Sequence, residues 1–260
     1  MRNIIVALSL TIMLILGSFG TVERPDYRVK KIVLDAGHGG KDPGTSGAHS
    51  KEKDIALDVV LKLGKIINEY LPDVEVIYTR KGDTYPEVYK RAELANKEGA
   101  DLFISIHANW VSNPQIRGTE TYVMGLHKTQ ANLNVAMREN SVINLEENSK
   151  ENYDGFDPNS PESYILFSLA QNAYVNNSLM LAENVEKQFG ERAGRKSRGV
   201  KSAGFLVLWQ TSMPSILVET GYLSNEREER ELNDELVQTY IASGIYRAFR
   251  DYKSEIESMN

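Results

Sequence analysis

Ile32-Val33-Leu34-Asp35-Ala36-Gly37-His38-Gly39-Gly40 is the stretch that decides the fold. A brief apolar run closed by glycines predicts a buried strand, Ile32 to Ala36, that ends in a tight turn. Residues 41–50, rich in Gly, Ser and Pro, continue as a loop. From Glu52 to Tyr70 the apolar period changes from two to about 3.6, the mark of a helix. Its expected buried stripe is Ala56, Val60, Leu63, Ile67 and Tyr70, and Pro72 stops it.

Further along, strands are expected at Val74 to Thr79, Leu102 to His107, Gly118 to Met124, Gly204 to Trp209 and Ile216 to Thr220. Helices are expected over Pro86 to Lys97, 129–147, Glu162 to Phe189 and Leu232 to Tyr252, with loops at 148–161 and 190–203. Strands alternating with helices predict an α/β fold: a mainly parallel, twisted sheet of about six strands with helices on both faces. The short link between the third and fourth strands predicts one antiparallel member.

The chain has 260 residues, 41% of them hydrophobic, with a net charge of −6. Arg2, the apolar run Ile4 to Leu16 and the small residues up to Gly20 have the pattern of a secretory signal peptide, residues 1–20. The run is shorter than the roughly 20 residues that span a membrane, so no lasting membrane anchor is expected. Export to the periplasm or cell envelope follows. Loss of the leader leaves 29 basic against 36 acidic residues, a balance unsuited to nucleic acid or anionic lipid. With no cysteine in the chain, disulfides, thiolate ligands and a lipoprotein anchor are excluded, and any metal must be held by His, Asp or Glu. One catalytic domain is expected over 29–253.

His38 follows the first strand, His107 ends the third and Glu219 ends the last. On parallel strands all three project from one sheet edge, where open α/β sheets bind ligands. Glu52, four residues before Ala56, falls on the buried stripe at the helix N-terminus, where a carboxylate is costly unless a cation meets it. Each has a plain structural alternative: helix-dipole pairing for Glu52, a hydrogen-bonded loop for either His, a salt bridge for Glu219. As a set, two imidazoles and a carboxylate form a three-ligand zinc site with an open position, and the extra carboxylate can act on water there. His49 and His127 are the competing histidines. The turn 37–40 lacks the spacing of a phosphate loop.

The motifs DAGHGGKDPGTSG at 35–47, KEKDIALD at 51–58, TRKGD at 79–83, SIHAN at 105–109 and PSILVETGYLSN at 214–225 resemble, in order, the zinc-dependent N-acetylmuramoyl-L-alanine amidases of the Amidase_3 type. The resemblance implies zinc held by His38, Glu52 and His107, with Glu219 catalytic. It implies hydrolysis of the amide between N-acetylmuramic acid and the first alanine of the peptidoglycan stem peptide. One departure is Ser50, where many relatives carry Gly. Without the resemblance, another zinc cell-wall peptidase such as a carboxypeptidase, or a non-enzymatic wall-binding regulator, remains open. Residues 130–190 exceed the roughly 10–12 residues a crossover requires. They resemble the insert of division-type amidases, in which an acidic side chain covers the zinc. Glu139, rather than Glu146 or Glu147, best matches that position, and a protein activator would then be needed to move it.

Overall fold

Strand alternation sends side chains to both faces of the sheet, and in this protein both faces are covered, so the central strands are apolar almost throughout. The computed structural model describes residues 28–168 and 173–259; the expected signal peptide lies outside them. Six strands form one sheet: β1 (Lys31–Ala36), β2 (Glu75–Tyr78), β3 (Leu102–Asn109), β4 (Thr119–Met124), β5 (Ser197–Ala203) and β6 (Ser215–Tyr222), in the order β2-β1-β3-β6-β4-β5. The α/β class, the strand number and the mainly parallel character are as expected.

Ile32, Leu34, Ile104, Ile106, Ile216 and Val218 share one core with α1 (Glu52–Tyr70), α6 (Val175–Glu191) and α9 (Glu235–Ser258). Val33, Phe103, Tyr122 and Leu217 face a second core with α2 (Val88–Lys97), α3 (Gln130–Asn140), α5 (Pro161–Ser168) and α7 (Leu206–Trp209). Two short helices, α4 (Ser149–Asn152) and α8 (Glu226–Leu232), complete the chain. Side-chain caps set several helix starts: Thr129 accepts from Asn132 N before α3, and Asp234 from Leu236 and Val237 N before α9. Among the described residues no helix is long and apolar enough to cross a membrane.

Several expectations need correction. β6 separates β3 from β4 and pairs antiparallel with β4, while β5 runs parallel to β4, so two strands oppose the other four. The basic stretch expected as a loop contains β5, whose Arg and Lys side chains disguise a sheet-edge strand. The apolar run after it, expected as a strand, is instead helix α7, because so short a run carries no period to tell the two apart. The expected helix over 129–147 is α3 followed by a 3₁₀ turn, Ser141–Leu145. The long helix expected from Glu162 divides into α5 and α6; the last expected helix is α9, and α8 before it was not expected. Tyr70, placed on the α1 stripe by period, is exposed at the helix end, whereas Ala56, Val60, Leu63 and Ile67 are buried.

Candidate metal centre

Strands β1, β3 and β6 run parallel, so their carboxyl ends share one edge of the sheet. His38 stands just beyond β1. His107 in β3 and Glu219 in β6 are register partners across the strand pair. Glu52 opens α1 and is fully buried.

The turn carrying His38 is strained, since His38 itself has φ +60°, a left-handed backbone that non-glycine residues rarely adopt. Two buried arginines hold it. Arg91 donates to His38 O at 2.9 Å and Ala36 O at 2.8 Å, and Arg80 to Gly37 O at 2.8 Å and Ala36 O at 2.9 Å. Arg91 is met by the buried Asp35 carboxylate at 2.9 Å, which also accepts from Thr79 and Ser105 hydroxyls at 2.6 Å. Burial alone would raise the Asp35 pKa, but the Arg91 charge and the two hydroxyls outweigh it and hold it below the ordinary value. Two glycines make room for the histidines. A Cβ on Gly37 would come within 2.5 Å of the His107 ring, and one on Gly44, at φ +66°, within 2.6 Å of the His38 ring.

One ligand atom each from His38, Glu52, His107 and Glu139 gathers within 4.8 Å, and all four residues are buried. His38 Nε2 lies 3.0 Å from Glu52 Oε1 and 3.1 Å from Glu139 Oε2; His107 Nδ1 lies 2.9 and 3.2 Å from the same two atoms. The outward atoms are fixed. His38 Nδ1 donates to Asp42 Oδ2 at 2.7 Å, which leaves the Nε2 lone pair pointing inward. Glu52 Oε2 accepts from Thr45 N at 2.8 Å and Thr45 Oγ1 at 2.9 Å. Glu139 Oε1 accepts from its neighbour Arg138 at 2.9 Å.

Two atoms at the centre, His38 Nε2 and Glu139 Oε2, are buried without a well-aligned hydrogen bond despite their proximity. Two imidazole nitrogens and two carboxylate oxygens converging on one buried point are the donor set of a zinc-type cation. The cavity beside them is about 30 Å³, room for an ion or a single water. Burial would lower the pKa of both histidines, but contacts with Glu139 and Glu52 raise His107 to about 9 and, with Asp42, raise His38 well above its ordinary value. Glu219 moves up, through burial first and then repulsion from Glu139 and Glu52, and neither of its carboxylate oxygens has a hydrogen-bond partner among the described residues.

The structure thus brings His38, Glu52, His107 and Glu139 together with Glu219 on the adjoining strand. His49 and His127 are not in the cluster. Asp35, Asp42, Arg80 and Arg91, which hold the first ligand in place, were not expected. Arg91 carried a signal, since it shares the buried stripe of α2 with Val88, Ala92 and Ala95. An arginine on such a stripe requires a buried partner.

The sheet edge, the buried N/O donor set and the unpaired carboxylate beside it define a protein of the layered α/β class with a cluster able to hold a metal ion. The family model described as N-acetylmuramoyl-L-alanine amidase matches residues 32–251, and the chain belongs to that family. It is 33% identical over 232 residues to the N-acetylmuramoyl-L-alanine amidase AmiA of Escherichia coli K12, covering 86% of this chain and 78% of the relative. Among solved structures it resembles the catalytic domain of the amidase CwlV from Bacillus (Paenibacillus) polymyxa, with TM-score 0.62, 30% identity, and coverage of 86% of this chain and 97% of that one. It also resembles the Clostridioides difficile amidase CwlD, solved in complex with the GerS lipoprotein, with TM-score 0.63, 27% identity, and coverage of 86% and 98%.

Proposed function

We propose that this chain cleaves the amide between N-acetylmuramic acid and the L-alanine of the peptidoglycan stem peptide, with zinc held by His38, Glu52 and His107 and with Glu219 as general base. The observation that carries the reading is the buried convergence of those ligand atoms beside an unpaired Glu219 carboxylate. Bound there, zinc acidifies water toward a pKa of about 7 and supports the negative charge that develops on an attacked carbonyl oxygen. The chain's own residues do the rest. Asp42 holds the His38 tautomer, and Thr45 and Ala108 N orient Glu52. Glu219, free of hydrogen bonds, takes a proton from the attacking water and passes it to the leaving alanine nitrogen.

Glu139 holds the resting form at low activity. Its Oε2 lies 3.1 Å from His38 Nε2 and 3.2 Å from His107 Nδ1 and so occupies a ligand position that water or a carbonyl would need. The insert over 130–190 is the inhibitory segment, and a protein activator that draws α3 away restores access. CwlD, solved in complex with a lipoprotein, is a similar amidase that binds a protein partner. Residues 1–20 act as an export signal that delivers the enzyme to peptidoglycan in the cell envelope.

Mass spectrometry of peptidoglycan digested with the purified chain tests the reaction. Stem peptides with free N-terminal alanine are expected; release of the terminal peptide residue instead would make it a carboxypeptidase. Elemental analysis tests the ligands: His38→Ala and His107→Ala proteins that keep full zinc would overturn their assignment.

A further inference from the structure

Arg138 and Glu139 are consecutive, but only Glu139 enters the metal-ligand cluster. Arg138 lines a separate groove of about 370 Å³, within the range of small-ligand sites. The floor of this groove is the sheet itself. Glu120 and Tyr122 rise from β4, Arg198 and Lys201 from β5, and Tyr222 from the end of β6. Glu120 is also the register partner of Glu219, so the groove floor and the general base sit on neighbouring strands.

Glu120 is 1% exposed and heavily bonded. It accepts from Arg198 Nε, Tyr122 OH and Tyr222 OH, each at 2.7 Å, and from Lys201 Nζ. Two cations thus share one carboxylate, and one positive charge is left over. Both side chains keep a face to solvent, Arg198 at 30% and Lys201 at 21% exposure. Arg198 places Nε on Glu120, and its guanidinium lies over the Tyr222 ring and against that residue's hydroxyl. An arginine fork with five donors that remains 30% exposed can take a second carboxylate alongside Glu120. In a chain of net charge −6, surplus positive charge beside the reaction centre calls for an anionic ligand.

Resting on the amidase reading of the adjoining site, we propose that this groove binds a carboxylate of the stem peptide, with Arg198 and Lys201 determining specificity and Glu120 positioning them. The two halves of the substrate differ in charge: the amino sugars are neutral once the muramic acid is amidated, whereas the peptide carries free carboxylates. A cationic groove on one side of the scissile amide therefore sorts the peptide to that side and the glycan to the other. It fixes which way the bond is presented to Glu219.

The test is binding to the intact chain without turnover, read by tryptophan emission, since Trp110 lines the groove. The probes are the dipeptide N-acetyl-L-alanyl-D-glutamate and its neutral diamide. The acid should bind about tenfold or more tightly than the diamide, the difference expected for one charge-assisted hydrogen bond, and the preference should shrink as salt is raised. Arg198→Gln and Lys201→Gln should each lower affinity for the acid about tenfold and leave the diamide unchanged, while Arg198→Lys keeps part of the preference. Equal affinity for acid and diamide overturns the proposal, as does a preference that survives both glutamine substitutions in proteins with wild-type melting curves. If either glutamine variant fails to fold, the acid–diamide comparison at two salt concentrations decides by itself. Binding and cleavage separate the two readings. Acid preference without muramoyl-alanine cleavage leaves the groove assigned and removes the reaction; cleavage with equal affinities removes the groove alone.

Discussion

The four residues of the cluster come from two regions attached to the protein in different ways. His38, Glu52 and His107 belong to the sheet and its first helix; within that framework the outward atoms of His38 and Glu52 are tied to Asp42 and Thr45, and Ala108 N donates to the inward Glu52 Oε1. Glu139 belongs to the insert, which reaches the sheet largely through side chains. Asn140 bonds Gly204 O and Leu206 N, Arg138 bonds Trp110 O, and Glu146 accepts from Tyr85 OH at 2.7 Å and Val88 N at 2.8 Å. Leu133, Val135 and Ala136, with Met137 partly buried beside them, anchor α3 in the second core. A hydrogen bond of this kind is worth about 0.5–1.5 kcal/mol, so α3 is tied down less firmly than the sheet ligands, which move only if the fold does, whereas α6 at the far end of the insert stays packed in the first core. The difference teaches that one half of the cluster is suited to hold a metal permanently and the other to cover it reversibly.

Breaking the fixed half should have the largest effects. Glu219→Gln is expected to keep metal and fold but lose about 10²–10⁴-fold in rate on peptidoglycan, because the amide cannot accept the water's proton. Near wild-type turnover would assign the base elsewhere. Asp42→Ala should follow with an about 10–100-fold loss of metal affinity, measured by competition with a chelating dye, since His38 Nδ1 then loses the partner that orients the ring. Unchanged affinity would show that the Gly-rich turn holds the ring unaided.

The covering half should respond in the opposite direction. Glu139→Ala is predicted to raise basal activity several-fold with no activator present, whereas a folded Glu139→Ala protein of unchanged or lower activity would make the insert structural. The smallest effect concerns protons. The His107 pKa, about 9 in the metal-free fold against 6.5 for the ordinary value, is raised, so its stabilising contribution is complete below about pH 6.5 and is lost as pH rises through 9. Chelator-treated protein should therefore melt at lower temperature at pH 9.5 than at pH 6, and metal binding at pH 7 should release protons into the buffer. Calorimetry in two buffers of different ionisation enthalpy that detects no proton release would contradict the raised pKa.

How much was legible before folding differs along the chain. His38 and Glu52 were readable because each sits at a punctuation mark, a Gly-rich turn after an apolar strand and the first turn of a periodic helix. β5 was not, because its Arg198 and Lys201 serve Glu120 on another strand and make an edge strand look like a basic loop. Tyr70 kept the period of α1 but lies where the helix has run past its core, and period says nothing about where the core ends.

By itself the sequence determined the α/β layering, the strand ends that carry His38, His107 and Glu219, and the family, because apolar period and local turn chemistry are written in neighbouring residues. Only the tertiary structure decided that β6 lies between β3 and β4, that Asp35 and Arg91 brace a strained turn, and that Glu139 closes on the two histidines. Those are pairings across 32 (139 − 107) to 113 residues of chain, set by which faces bury together. No local pattern encodes such a choice, because its free energy exists only once the layers have packed.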